Sequence, residues 1–313
     1  MMNLHRKLLA LTVFSLSAIG LSSVAAEPVE KFDFGPQQTG RIRAEKDPLA
    51  VNAIRKNFRF AKEGFLTVAI APYGPPIASY ATDAKTVVGS DADYAQLIAD
   101  ELGLKLNIVP IAWADWPLGL TSGKYDAVIS NVGVTEQRKQ RFDFTTYRLG
   151  LHGFYVKTSS PIKEIKEPKD IAGLRVITGS GTIQEKIVLE WSKEDVAHGL
   201  KPVQIQYFDD DAAARIALLS GHADVHFDPN APLAFEAART GQIRLVGTVN
   251  AGWPLKADVA IATRKDSGLA DALTIATNDL IKDGKYAQAL ARWGLQREAV
   301  SQSETNPPGL PTF

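Results

Sequence analysis

The chain has 313 residues, 45% of them hydrophobic and 22% charged, which fits a globular protein of one or two domains. Lysine plus arginine and aspartate plus glutamate both count 35, a balance that argues against nucleic acid or an anionic membrane surface as partner while leaving room for a local charged cleft. Cysteine is absent, which excludes disulfides, thiol catalysis and cysteine metal sites.

The first 26 residues read as a cleavable secretory signal peptide. His5, Arg6 and Lys7 form a positive start, residues 8–21 an apolar run, and Ser22-Ser23-Val24-Ala25-Ala26 a small-residue exit. The apolar run is short for a membrane span, and no later segment reaches spanning length. Residues 27–60 are polar and irregular, with Gly35-Pro36, Gly40 and Pro48 as breakers. They form an N-terminal extension without an assigned role, in which residues 49–60 are expected to contain a helix.

Phe65-Leu66-Thr67-Val68-Ala69-Ile70 has the β-branched and apolar character of a strand, and it runs into the rigid loop Ala71-Pro72-Tyr73-Gly74-Pro75-Pro76. In α/β sheets ligands lie at the carboxyl ends of strands, so Tyr73 either faces a ligand or seals the core edge. Tyr94, Leu97, Ile98, Glu101 and Leu102 then form one stripe of a helix that Gly103 closes, with Asp91 and Asp93 as N-terminal charges. A second strand, residues 104–111, precedes Trp113 and Trp116. Ala127-Val128-Ile129 is a short buried strand ending on Ser130, Asn131 and Gly133. Thr135 follows as a helix cap, and three residues later comes Arg138, a planar two-pronged donor. Either an anion cradle or an ordinary capped helix with a solvated arginine accounts for that segment.

The second half repeats the pattern. Thr178-Gly179-Ser180-Gly181-Thr182-Ile183 is a glycine-rich turn into a helix, weak evidence in isolation for a second anion-friendly turn. Asp209-Asp210-Asp211 reads as a helix start, since a calcium loop needs oxygen ligands at alternating spacing. Strands are expected at residues 203–208, 243–246 and 259–262. His226, alternating with Val225 and Phe227, reads as a packed histidine.

Three stretches carry a family resemblance: Ser122-Gly123-Lys124-Tyr125-Asp126, Thr135-Glu136-Gln137-Arg138-Lys139 and Phe142-Asp143-Phe144-Thr145-Thr146-Tyr147. In this order they resemble the signature of the periplasmic polar amino-acid-binding proteins, the family 3 solute receptors of ABC transporters. Asp283-Gly284-Lys285-Tyr286 and Arg292-Trp293-Gly294 resemble the family's ending, so the likeness covers residues 65–295. It implies an α/β, two-lobed type II periplasmic-binding-protein fold with the ligand in the interlobe cleft. Lobe one would span residues 61–155 and 248–300, lobe two residues 156–247, and residues 301–313 a flexible tail. By the same resemblance Arg138 clamps a ligand carboxylate, with Ser130, Asn131 and Gly133 beside it. Tyr73 and Trp113 face the ligand's side chain, and Gly181, Thr182 and Ile183 line the opposite lobe. Ile183 departs from the hydroxyl usual at its position. The strand before Asp228 is one residue shorter than usual, so either Asp228 or Asn230 meets the ligand ammonium.

The resemblance further implies a small-molecule ligand, an amino acid or related carboxylate, and an ABC permease in the inner membrane that reads the closed form. No cofactor, catalytic residue, metal or nucleic acid is expected, and a monomer is. Without the lipidated cysteine that tethers such receptors elsewhere, a periplasmic location follows. The competing reading is an enzyme similar to cyclohexadienyl dehydratase, with Glu185, His226 or Asp228 as general acid.

Overall fold

The computed structural model describes residues 32–208 and 210–311, so the expected signal peptide lies outside the described residues. In chain order the first lobe contains α1 (Pro48–Ala53), β1 (Phe65–Ile70), β2 (Ser79–Tyr80), β3 (Val87–Val88) and α2 (Ser90–Glu101). It continues with β4 (Lys105–Pro110), α3 (Trp116–Thr121), β5 (Ala127–Gly133), α4 (Glu136–Lys139) and β6 (Phe142–Leu149). The second lobe comprises β7 (Leu151–Lys157), β8 (Arg175–Ile177), α5 (Ile183–Ala197), β9 (Gln204–Gln206), α6 (Asp211–Ser220), β10 (Val225–Pro229), α7 (Asn230–Thr240) and β11 (Ile243–Asn250). The chain returns to the first lobe with β12 (Asp258–Arg264), α8 (Ala270–Lys282) and α9 (Lys285–Ala291).

Two five-stranded sheets result, in the orders β4-β1-β5-β12-β6 and β11-β7-β10-β8-β9. β1 runs parallel to β4 and β5 between them, while β12 is antiparallel to both its neighbours. The residues explain the placement of β1. Leu66, Val68 and Ile70 enter the core built by α2 and α8, and Ala69, on the other face, enters the core around Trp116 and Phe144. A strand covered on both faces cannot alternate apolar with polar residues, and this one does not. Lobe two is centred on Phe154, sandwiched between the rings of Phe227 at 4.0 Å and Trp191 at 5.4 Å.

Four boundaries differ from the sequence reading. The helix expected in residues 49–60 stops at Ala53, because the Arg55 N–H donates to the Gly268 carbonyl at 3.2 Å instead of continuing the helical ladder. Lobe one was expected through residue 155, but β7 belongs to the second sheet, and the crossing falls at Gly150. There the two connecting strands run side by side: Ala251 N–H donates to Gly150 O at 3.1 Å, and Gly150 N–H to Ala257 O at 3.3 Å. A Cβ at Gly150 would sit 2.5 Å from that of Ala251, so only glycine permits the approach. β11 likewise keeps the chain in lobe two through Asn250 rather than 247.

The fourth concerns residues 301–313. Instead of a flexible tail, the described part packs along β6. Ser303 donates to the Thr146 carbonyl at 2.6 Å, and Asn306 accepts from Phe144 N–H at 2.8 Å while donating to Asp143 at 3.0 Å. Leu310 exchanges backbone hydrogen bonds with Val134 and Glu136, and its side chain is 3% exposed in the lobe-two core beside Ala251 and Ala257. Proline and polar residues concealed this role, because local composition does not report long-range pairing.

Residues 32–60 pack on lobe one. Asp93 ties them down, accepting from Arg41 at 2.7 Å and from the Trp293 indole at 2.8 Å, with Arg292 as a third partner. Phe32 stacks at 5.6 Å on Phe235 of α7, so this segment also touches lobe two. Among the described residues no helix is long and apolar enough to cross a membrane.

Candidate ligand-binding site

Between the lobes lies a cleft of about 1510 Å³, larger than one small ligand requires, lined by strand-to-helix turns from both sheets. Tyr73, Trp113, Ser130, Asn131, Gly133, Arg138, Thr182, Ile183 and Asp228 all line it. Gly181 does not, although its carbonyl takes part in the interlobe contact described next.

Arg138 sits in α4 directly after β5. Thr135 caps this short helix, its hydroxyl accepting from the Arg138 N–H at 3.0 Å. The guanidinium donates to the Gly133 carbonyl at 2.8 Å and across the cleft to the Gly181 carbonyl at 3.3 Å, with the Trp113 and Trp116 rings each 5.7 Å away. Burial alone pushes its pKa down to about 10, so it stays cationic at neutral pH without a carboxylate to compensate it. The helix start beside it has less capacity for an anion than expected, because the Glu136 N–H already donates to the Leu310 carbonyl at 2.8 Å. The Arg138 side chain is the charged donor this turn presents to the cleft.

Lobe two meets this wall closely. A Cβ at Gly133 would lie 2.2 Å from the Ile183 Cδ1, and Lys186 Nζ donates to Gln137 Oε1 at 3.2 Å. Gly181 takes φ +71°, and its N–H donates to Glu185 Oε2 at 2.6 Å. Thr182 caps α5, accepting from Glu185 N–H at 3.1 Å and donating to Gly179 O at 2.6 Å. Its hydroxyl thus holds the turn in shape.

Asp228, next to the last residue of β10, lines the cleft. Its Oδ1 accepts from Gln184 Nε2 at 2.8 Å, and His226 Nε2 lies 3.1 Å from Oδ2. His226 is buried, as a packed histidine should be, yet it also lines the cleft through this pairing. Asn230 opens α7, and its amide oxygen accepts from the Tyr155 hydroxyl at 3.0 Å. Of the two candidates for an ammonium partner, Asp228 is the one that lines the cleft.

The side chains of Ser130 and Asn131 are partly engaged elsewhere. Ser130 Oγ accepts from Ala71 N–H at 2.9 Å, fixing the loop that carries Tyr73. Asn131, at φ +53°, accepts through Oδ1 from the buried Arg148, which in turn pairs with Glu298. Beside them Tyr147 donates to Asp91 Oδ1 at 2.9 Å, and burial pushes the Asp91 carboxyl up to about 6. The Tyr73 hydroxyl is buried with no hydrogen-bond partner among the described residues. His152, also cleft-lining, is held neutral by burial, its pKa pushed down to about 4. Sequence reasoning missed His152, Gln184 and the Asp91–Tyr147–Arg148–Glu298 network. Their members come from separate segments, and no local spacing signals the convergence.

The two tryptophans separate by environment. Trp116 is 3% exposed against Phe142 at 4.7 Å, whereas Trp113 is half-buried at the cleft. Trp116→Ala should lower the stability of the ligand-free protein by ~3–5 kcal/mol through the cavity it leaves, with Trp113→Ala costing clearly less. Denaturant unfolding of the two variants measures this; equal losses would refute the distinction.

Two α/β lobes joined by adjacent crossings, with the site at facing strand ends, define a type II periplasmic binding protein. Residues 66–296 match the family model described as bacterial extracellular solute-binding proteins, family 3, and the chain belongs to that family. It is 26% identical over 236 residues to the L-cystine-binding protein TcyJ of Escherichia coli K12, covering 74% of this chain and 83% of that protein. The structure of an ancestral arginine-binding protein bound to arginine is similar at TM-score 0.65 and 28% identity, covering 74% of this chain and 98% of that one. Cyclohexadienyl dehydratase of Pseudomonas aeruginosa is 25% identical over 169 residues, 53% of this chain and 60% of the enzyme. These relatives thus include amino-acid-binding proteins and an enzyme.

Proposed function

We propose that this protein is a periplasmic receptor that closes on one amino acid or amino-acid-like carboxylate and delivers it to an ABC permease in the inner membrane. The observation that carries the reading is Arg138: a half-buried guanidinium at the cleft whose acceptors are two neutral carbonyls. A ligand carboxylate there supplies the missing charge through a bidentate pair. Asp228, on the lobe-two wall, offers the complementary site for the α-ammonium. A zwitterion bridging these groups contacts both lobes only when they are closed, so binding selects that state, and the permease recognises it. Tyr73 and Trp113 bound the ligand's side chain, and the orphan Tyr73 hydroxyl gains a polar partner from the ligand or a bound water.

The test is a thermal-shift screen of free amino acids and opines, repeated with the amide and N-acetyl derivative of each hit. A ligand at ~100-fold its Kd stabilises by ~2.7 kcal/mol, and either blocked derivative should lose most of that shift. Stabilisation that survives both modifications would overturn the zwitterion reading. Prephenate and arogenate, incubated in parallel, should be returned unchanged; turnover of either would overturn the receptor reading in favour of the dehydratase.

A further inference from the structure

Three carboxylates that are distant in sequence converge on lobe one, and none of them lines the cleft. Asp47 is the N-cap of α1, Glu101 the last residue of α2, and Asp279 stands in the last turn of α8. Each contributes an oxygen to a group in which all three oxygens lie within 4.8 Å of one another. Glu101, a member of this group, is only 1% exposed, and its Oε2 is buried with no hydrogen-bond partner among the described residues. A buried carboxylate oxygen facing two like charges is costly without a compensating cation. The helices add to the cost, since α2 and α8 both direct their negative carboxyl ends at this point. The neighbouring cation, Lys285, places its ammonium 2.8 Å from Asp283 instead.

We propose that Asp47, Glu101 and Asp279 bind a calcium ion that ties the N-terminal segment to α2 and α8. Calcium takes hard oxygen ligands at ~2.4 Å, so two oxygens on one ion can stand up to ~4.8 Å apart, which the cluster satisfies. The set contains no nitrogen or sulfur, which disfavours zinc and copper, and water completes the six to eight ligands that calcium accepts. Magnesium demands a tighter octahedron and keeps its own waters, so it fits a cluster of three protein carboxylates less well. Asp47 accepts from Leu49 N–H at 2.8 Å and Ala50 N–H at 3.1 Å, and a carboxylate retains further lone pairs for a metal. The ion would reinforce an existing contact, the 2.9 Å hydrogen bond from Asp47 N–H to the Glu101 carbonyl. The rival neutraliser is a proton, since burial, with Asp279 and Asp47 beside it, pushes the Glu101 carboxyl up to about 8.

The protein is stripped with chelator, dialysed, and melted with and without about 5 mM CaCl₂, above the ~10⁻⁴–10⁻³ M dissociation constants of extracellular calcium modules. Calcium should raise Tm by ~3 °C or more, and titration calorimetry should find one site. Glu101→Gln should remove the calcium-dependent shift, whatever it does to the baseline Tm. Asp279→Asn serves as a second variant should Glu101→Gln fail to fold. No shift with calcium overturns the proposal and leaves a shared proton as the neutraliser. A shift unchanged in both variants places the ion elsewhere, and a larger shift with magnesium overturns the calcium assignment.

Discussion

Arg138→Ala should reduce affinity for the amino acid found by screening by ~2–5 kcal/mol, which is about 30-fold to several thousand-fold. Most of that loss reflects a ligand carboxylate entering a water-poor cleft without a charged partner, so the effect should fall on dissociation more than on association. The effect on the ligand-free protein should be small and separates two roles. A guanidinium whose principal work were to staple Gly133 to Gly181 would, on removal, destabilise the apo protein. A guanidinium held in reserve for an anion carries a desolvation cost in the apo state, so its loss should leave Tm unchanged or raise it slightly. Arg138→Lys restores the charge but not the planar fork and should recover only part of the affinity. Titration calorimetry with parallel melting curves reads both quantities. Near-wild-type affinity in Arg138→Ala would show that the carboxylate lies elsewhere in the cleft.

The parts of the fold that local chemistry dictates were legible in the sequence. β1 announces itself by its β-branched and apolar run, and α2 by its stripe from Tyr94 to Glu101, closed by Gly103 at φ +65°. The turn into α4 was legible for the same reason, Thr135 capping three residues before Arg138. Contacts that depend on the return of the chain were not legible. The crossing at Gly150 is fixed by Ala251, a hundred residues on, and Arg148 meets its counter-charge only at Glu298. Ser130 and Asn131 show the intermediate case. Their place at the cleft follows from the strand that carries them, but their side-chain partners, Ala71 N–H and Arg148, follow from tertiary packing. Glu101 completes the apolar stripe of α2 as a helix position, and nothing in its spacing betrays the two other acids it meets.

The C-terminal segment offers the second large effect. A variant ending at Asn306 should be destabilised by ~3–5 kcal/mol, with Tm lowered by roughly 10 °C for a protein of this size. The loss has identifiable parts. Burying a leucine contributes ~1.5–3 kcal/mol, and Leu310 fills the space beside Ala251, Ala257 and Gly252, where its Cδ2 lies 2.5 Å from a Cβ built on the glycine. Leu310 N–H donates to Val134 O at 3.0 Å, Glu136 N–H to Leu310 O at 2.8 Å, and Gly309 N–H to Glu136 Oε1 at 2.6 Å. Net hydrogen-bond contributions are each ~1 kcal/mol, less where the group becomes hydrated after truncation. These bonds hold the start of α4, the helix that carries Arg138, so ligand affinity should fall along with stability. Leu310→Ala isolates the packing part: it should cost ~2–4 kcal/mol while preserving the backbone bonds and hence most of the affinity. A dispensable tail predicts that both variants melt with the wild type and bind ligand equally well. That result would mean that the residues after Asn306 contribute nothing to the fold, and that α4 holds Arg138 in place without them.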